Sequence, residues 1–372
     1  MFVADRSPAF PMSSSSAPTS TPLHSTSKII KTGNSTPPES LQSDLQESFS
    51  KEIHDHTWEF DADRIAKILS AANKGPPVAL VDSAHKALGK VSPVWPTVDA
   101  EQPWYFPLAV FLNDCVGACH RVLDEYPGSV GRDSRVYDRL KFIDYNKPAV
   151  DGVEGASPVK LYLVGGLDLA PDERIAWSPR GSSIKQVLIP VEVKANWAPI
   201  IIQATTYARC LFSASPSRQF SIALGFRHTE AELRFLVFYR GGLTGSKACS
   251  VKDPQGQKDI LRIFLSILQW KSANDAGFLE FFDNSKMCLP RHKDDETGTV
   301  ANVTEVLHDG LCVRGRASRV LLMSHPTGEG TKSEPPIATL NPNIRTREGP
   351  RTRSQTEQGD KESRMSFHLQ CI

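Results

Sequence analysis

The chain has 372 residues and a formal net charge of +1, with 43 basic residues against 42 acidic ones. This balance excludes a protein that binds nucleic acid through bulk charge, so any such contact would need a local patch. No apolar run approaches the roughly 20 residues that cross a bilayer, and we therefore expect no membrane contact. The 7 scattered cysteines indicate reduced thiols and an intracellular protein, in the cytoplasm or the nucleus.

The two ends of the chain have compositions typical of disorder. Residues 1–50 are rich in Ser, Thr and Pro, and residues 326–372 combine Pro and Gly with many charges. Segments of this kind bury too little apolar area to offset the loss of chain entropy on folding. We therefore expect two disordered tails around a globular segment that begins near residue 58.

Between the tails, apolar periodicity predicts a mixture of helices and strands. Helical spacing of apolar residues occurs over four segments, 58–72, 104–126, 199–215 and 256–270. Extended apolar patterns predict strands over residues 159–169, 184–194, 219–227 and 232–240, the last two joined as a hairpin. This mixture predicts an α/β (α+β) fold with a mixed central sheet and flanking helices.

Cys115, Cys119 and His120 lie close together on the predicted helix 104–126. A zinc site would need a fourth ligand, and no second pair of ligands follows in the sequence. The simpler interpretation is that these residues pack in the core.

The predicted strand 184–194 carries two charges in an apolar setting, Glu192 and Lys194. Because side chains alternate along a strand, both point away from Val191 and Val193. Asp168 ends the preceding predicted strand, and if the two strands are neighbours it converges with Glu192 beside Lys194. Two such carboxylates would share a Mg²⁺ ion, and Lys194 would orient or help to deprotonate an attacking water. The alternative is a solvated sheet face with weak charge pairs.

The predicted helix 199–215 carries Gln203 and Tyr207, which are four apart and share one face. We expect this helix to pack on the sheet and to bring both side chains to the same cleft. The alternative is an ordinary amphipathic helix with polar atoms at its boundary.

These residues resemble a known family. Asp168, Glu192-Val193-Lys194 and Gln203-x3-Tyr207 resemble the PD-(D/E)xK motifs of restriction-endonuclease-like proteins. The stretches "VLIPVEVK", "QATTYARCLFSASPSRQF" and "VLHDGLCVRGRASRV" resemble, more specifically, the fungal-type protein kinase family. The resemblance implies an αβββαβ restriction-endonuclease-like core over residues 58–285. It also implies that Glu101 joins Asp168 and Glu192 as an upstream metal ligand.

The segment 299–323 resembles the start of a kinase N-lobe, with Gly315 and Ala317 in a vestigial Gly-rich nucleotide-binding loop. The residues after Met323 include no V-A-I-K-type lysine strand, no H-R-D catalytic loop and no D-F-G motif. We therefore expect a remnant hairpin at 299–323 in a truncated kinase relative, and ATP binding is not expected.

Three functions remain open from the sequence. The first is a truncated family member without kinase activity, whose nuclease-like module serves in binding or regulation. The second is an active Mg²⁺-dependent nuclease or phosphodiesterase, for which nucleic acid would be the substrate. The third is protein kinase activity, as the family label implies.

Overall fold

The computed structural model describes residues 56–89, 93–154, 157–177, 184–215 and 218–278, a few positions between 47 and 54, and short strands after residue 281. Most of the two predicted tails, 1–50 and 326–372, lies outside these residues, so the disorder of that part stays a prediction, whereas strands occur at Ala338–Leu340 and Arg364–Gln370 within the second tail. Gly315 and Ala317 also lie outside the described residues. No helix in the described part of the chain is both long enough and apolar enough to cross a membrane.

A mixed sheet of ten strands forms the centre of the described chain, in the order β1-β9-β8-β7-β6-β3-β2-β4-β5, with β10 paired to β8. The strands are β1 Thr57–Phe60, β2 Leu140–Glu154, β3 Ser157–Leu167, β4 Ile175–Ala176, β5 Lys185–Gln186, β6 Ile189–Lys194, β7 Phe220–Arg227, β8 Glu232–Tyr239, β9 Gly242–Ser246 and β10 Cys249–Ser250. The helices are α1 Ala62–Leu69, α2 Val78–Leu88, α3 Gln102–Glu125, α4 Trp197–Ala214 and α5 Pro254–Ile267. The predicted α/β architecture, with a mixed central sheet and flanking helices, is confirmed.

Several predicted boundaries differ from the structure. The predicted helix 58–72 is a strand, β1, followed by the shorter helix α1. The break falls at Asp61, whose side chain accepts a hydrogen bond from the backbone N–H of Arg64 and so caps α1. The predicted strand 184–194 is divided into β5 and β6.

Among the longer elements around the central sheet, helix α2 and strand β2 have no counterpart in the predicted ones. Strand β2 pairs antiparallel with β3, but its register shifts between Asp144 and Lys147 and again between Pro148 and Val153. Irregular strands of this kind lack the strict alternation that marks a strand in sequence.

The helices divide between the two faces of the sheet. Residues of α1, α2, α3 and α5 share one apolar cluster with β6 and β7, including Val191 and Val193. Helix α4 packs on the other face, in two smaller clusters that contain Tyr207 and Phe212, respectively. The central strand β6 is therefore covered on both sides.

A side-chain amide fixes α3 to the sheet. Asn113 donates to the backbone carbonyl of Phe142 at 2.8 Å and accepts from the N–H of the same residue at 2.8 Å. This pair of bonds joins the middle of α3 to β2, and the register of α3 in turn sets where its first residues lie.

The strands β11–β16 form a separate six-stranded sheet. They are β11 Phe282–Asp283, β12 Lys286–Leu289, β13 Thr299–Asp309, β14 Ser318–Ser324, β15 Ala338–Leu340 and β16 Arg364–Gln370. Strands β13 and β14 pair antiparallel over the segment expected to be a hairpin. Its origin in a kinase lobe stays a prediction.

Helix α4 approaches the sheet closely at Gly225, which lies opposite Glu192 in the parallel pair of β6 and β7. A Cβ atom at this position would lie 2.5 Å from Cγ2 of Ile200 and 3.3 Å from the ring of Trp197. Both contacts are with α4, so a side chain here would push the helix away from the strand that carries Glu192.

We predict that Gly225→Ala lowers the free energy of unfolding by about 1–3 kcal/mol, because overpacking a well-filled core forces side chains and backbone to shift. Chemical denaturation of both proteins measures the difference. Gly131→Ala is the matched control, since a Cβ there meets no atom within 4 Å. Equal stabilities of the Gly225 and Gly131 variants would contradict the close approach of α4.

Candidate functional site

The candidate site is built on the alternation of β6. Val191 and Val193 point into the apolar cluster beneath α3 and α5. Glu192 points to the opposite face, where Tyr207 of α4 donates a hydrogen bond to its Oε2 at 2.5 Å. The predicted division of charged and apolar side chains along this strand is confirmed.

Glu192 is a buried carboxylate with a partner at each oxygen. The residue is only 2% exposed. Its Oε1 lies 3.0 Å from Nζ of Lys194, and its Oε2 accepts the Tyr207 hydroxyl. Burial of a carboxylate is costly unless its oxygens are paired in this way, so the two partners compensate for its position in the sheet.

Lys194 joins this carboxylate to a second one. Its ammonium donates to Oε2 of Glu101 at 2.8 Å, while it also pairs with Glu192. Glu101 is the N-cap residue of α3, and Tyr105, one turn into that helix, donates to the same Glu101 oxygen at 3.4 Å. The structure therefore brings Glu101, Glu192, Lys194 and Tyr207 into one hydrogen-bonded cluster.

Burial raises the pKa of Glu192 above its ordinary value, although Lys194 and Tyr207 act in the opposite direction. Burial alone would lower the pKa of Lys194, but the charges and hydrogen bonds of Glu192 and Glu101 outweigh it and raise that pKa. Burial, followed by the charges of Glu101 and Glu192, also raises the pKa of Tyr105. Lys194 is therefore a protonated hydrogen-bond donor at neutral pH.

Asp168 is not part of this cluster, and the predicted convergence of Asp168 with Glu192 is wrong. It lies just past the end of β3 and forms an ion pair with Arg139, the residue that precedes β2. The antiparallel register pairs Gly165 with Ile189, so Asp168 continues away from Glu192. The cause is the direction of β3, which runs from the site towards Asp168.

The stretch of β3 beside Glu192 begins near Lys160. The backbone carbonyl of Lys160 lies 3.5 Å from the Tyr207 hydroxyl, which in turn binds Glu192. The register of β3 and β6 continues to Tyr162 opposite Glu192, and Asp168 lies six residues beyond Tyr162. At about 3.3 Å per residue, Asp168 is on the order of 20 Å further along the strand. A carboxylate at that distance shares no ion with Glu192.

Aromatic and basic side chains stand where a second strand carboxylate was expected. The Lys160 ammonium lies 4.7 Å from the ring centre of Tyr162. Tyr162 stacks on Tyr105, with ring centres 5.1 Å apart and an angle of 17° between the planes. Sequence reasoning missed these three residues, although the alternation of "VKLYL" puts Lys160 and Tyr162 on one side of the strand.

Gln203 lies one turn before Tyr207 on α4 and is half-buried. Within the described residues, no hydrogen bond joins it to Glu192 or Lys194. The structure thus brings Tyr207, but not Gln203, into the hydrogen-bonded cluster of the described residues.

Cys115 and Cys119 are buried free thiols, and burial raises the pKa of both. His120 lies beside Arg135, with 3.3 Å between Nδ1 and the guanidinium. These contacts are those of core residues of α3, as the sequence suggested.

The donor set does not fit the implied Mg²⁺ ion. The described residues contain no group of three His, Cys, Asp or Glu side chains that could hold a metal. Two carboxylates do meet, Glu101 and Glu192, but the Lys194 ammonium already lies between them. A divalent cation would have to displace a positive charge that both carboxylates bind.

Comparison of the chain with protein-family models, with curated proteins and with solved structures finds no match.

We predict that Glu192→Gln changes how stability depends on pH. Because the folded-state pKa of Glu192 lies above its ordinary value of 4.5, its contribution to stability is full below pH 4.5 and is lost as pH rises through the folded pKa. The free energy of unfolding of the wild type, minus that of the variant, should therefore fall as pH rises from about 4 to 8, by at most about 1.4 kcal/mol per pH unit.

Denaturant titrations at each pH measure this difference. Asp168→Asn is the matched control, since it removes one negative charge at the opposite end of the sheet. A difference that grows with pH would contradict the raised pKa.

Proposed function

We propose that the chain carries a restriction-endonuclease-like module, related to the N-terminal region of the fungal-type protein kinase family, that has lost catalysis and serves in binding or regulation. Support for the fold comes from the order α3, β2, β3, β6, α4, β7, which, with the two-residue strands β4 and β5 left aside, has the αβββαβ pattern implied by the sequence resemblance. These strands pair antiparallel, antiparallel and parallel in turn. The E-x-K pair lies on the third strand, and the Q-x3-Y helix follows it.

The loss of catalysis rests on one observation, the position of Asp168. The motif needs a carboxylate from the strand next to Glu192, and Asp168 instead pairs with Arg139 beyond the far end of β3. Lys160 and the Tyr162–Tyr105 stack stand beside Glu192 in its place. A basic and aromatic neighbourhood does not supply the oxygen ligands that Mg²⁺ requires.

A second candidate is a Mg²⁺-dependent nuclease, and one observation favours it. Glu101 arrives from α3 and shares Lys194 with Glu192, so two carboxylates do meet at one point. This candidate requires Lys194 to leave that point. Gly315 and Ala317, the nucleotide-binding residues that the resemblance implies, lie outside the described residues, so protein kinase activity stays a prediction.

We predict that the purified full chain does not cleave nucleic acid. Single-stranded and double-stranded DNA and RNA, incubated with the chain and Mg²⁺ or Mn²⁺, should show no more cleavage than with Glu192→Ala prepared in parallel. Gel analysis of labelled substrates measures this.

Cleavage that depends on the metal and is abolished by both Glu192→Ala and Lys194→Ala would contradict the proposal and favour the second candidate. In that case Asp168→Asn distinguishes a metal bound by Asp168 and Glu192 from one bound by Glu101 and Glu192. Cleavage that survives this change would assign the site to Glu101 and Glu192.

A further inference from the structure

We infer that Lys194 is the permanent counter-ion of this site: its ammonium takes the place of a divalent cation between Glu101 and Glu192, and the site accepts such a cation only when Lys194 is removed. The inference rests on the proposed function, because the nuclease-like fold is what assigns a cation to this place.

The geometry makes the ammonium and a metal ion mutually exclusive. One nitrogen lies 2.8 Å from Oε2 of Glu101 and 3.0 Å from Oε1 of Glu192, which are ordinary lengths for charge-assisted hydrogen bonds. A Mg²⁺ ion would need the same oxygens at about 2.1 Å. The ion would then lie almost on the nitrogen, and both carry positive charge.

The surroundings favour the ammonium over an ion from solution. The second oxygen of Glu192 is taken by the Tyr207 hydroxyl, and the residue is only 2% exposed. The Lys194 side chain is 28% exposed, so it is largely shielded from the water that would compete for its charge. The counter-ion is also attached to the same strand as Glu192, two residues away, and needs no association from solution.

Each carboxylate has a second hydrogen-bond partner besides Lys194. Glu192 is held by the sheet and by Tyr207, and Glu101 is held at the start of α3, where the Tyr105 hydroxyl binds it. Two carboxylates completed by water are a common ligand set for Mg²⁺ and Mn²⁺. Replacing Lys194 by an uncharged residue of similar length would therefore leave a weak cation site.

The test measures Mn²⁺ binding to the full chain by electron paramagnetic resonance, with no nucleic acid present. Lys194→Met should bind one Mn²⁺ ion at least ten times more tightly than the wild type does. Lys160→Met is the matched control, because it also removes one lysine near the site. Lys160 is exposed, and its ammonium lies over the ring of Tyr162. This variant should behave like the wild type. Adding Glu101→Gln to Lys194→Met should reverse the gain.

Two results would overturn the inference. One is a wild-type chain that binds Mn²⁺ as tightly as Lys194→Met and loses it in Glu192→Gln. The other is a Lys194→Met chain that circular dichroism shows to be folded but that binds Mn²⁺ no more tightly than the wild type. Where Lys194→Met does not fold, Lys194→Gln replaces it, and the wild-type comparison with Glu192→Gln still decides. Since no nucleic acid is present, failure here is distinct from failure of the proposed function, which only cleavage would show.

Discussion

A carboxylate in the middle of a covered sheet is the constraint on which the rest of the site depends. Glu192 lies on β6, between β3 and β7, with helices on both faces. A charge in that position must be paired, because its separation from water is otherwise too costly. Two elements provide the partners of Glu192: Tyr207 comes from α4 and Lys194 from the end of β6. Helix α3 provides Glu101, which is the second partner of Lys194.

The sequence predicted the features that depend on local periodicity. It did not predict the position of Asp168, which depends on the direction of the neighbouring strand. The alternation around Glu192 and Lys194 and the helix that carries Tyr207 follow from periods of two and 3.6 residues. The misplacement of Asp168 has another cause, since periodicity does not show which end of β3 lies beside Glu192. Strand β2 was missed because Pro148 and the register shifts near it remove its alternation.

The paired state of the cluster bears on what the module can do. Each charged group in it already has a partner from the chain, so the site as it stands offers few unsatisfied groups to a substrate. Pairing of this kind stabilises a position and a fold, while catalysis needs groups that gain interactions only in the transition state. The loss of catalysis that we propose would account for both the paired cluster and the position of Asp168.

The central claim is that the Lys194 ammonium neutralises the buried charge of Glu192, and a double-mutant cycle tests it most directly. Unfolding free energies are measured for the wild type, Lys194→Met, Glu192→Gln and the double variant. We expect Lys194→Met to cost about 3 kcal/mol, because it leaves a buried charge unpaired. The double variant should recover much of that loss, with a coupling energy of about 2 kcal/mol. Losses that add to within about 0.5 kcal/mol would contradict the account.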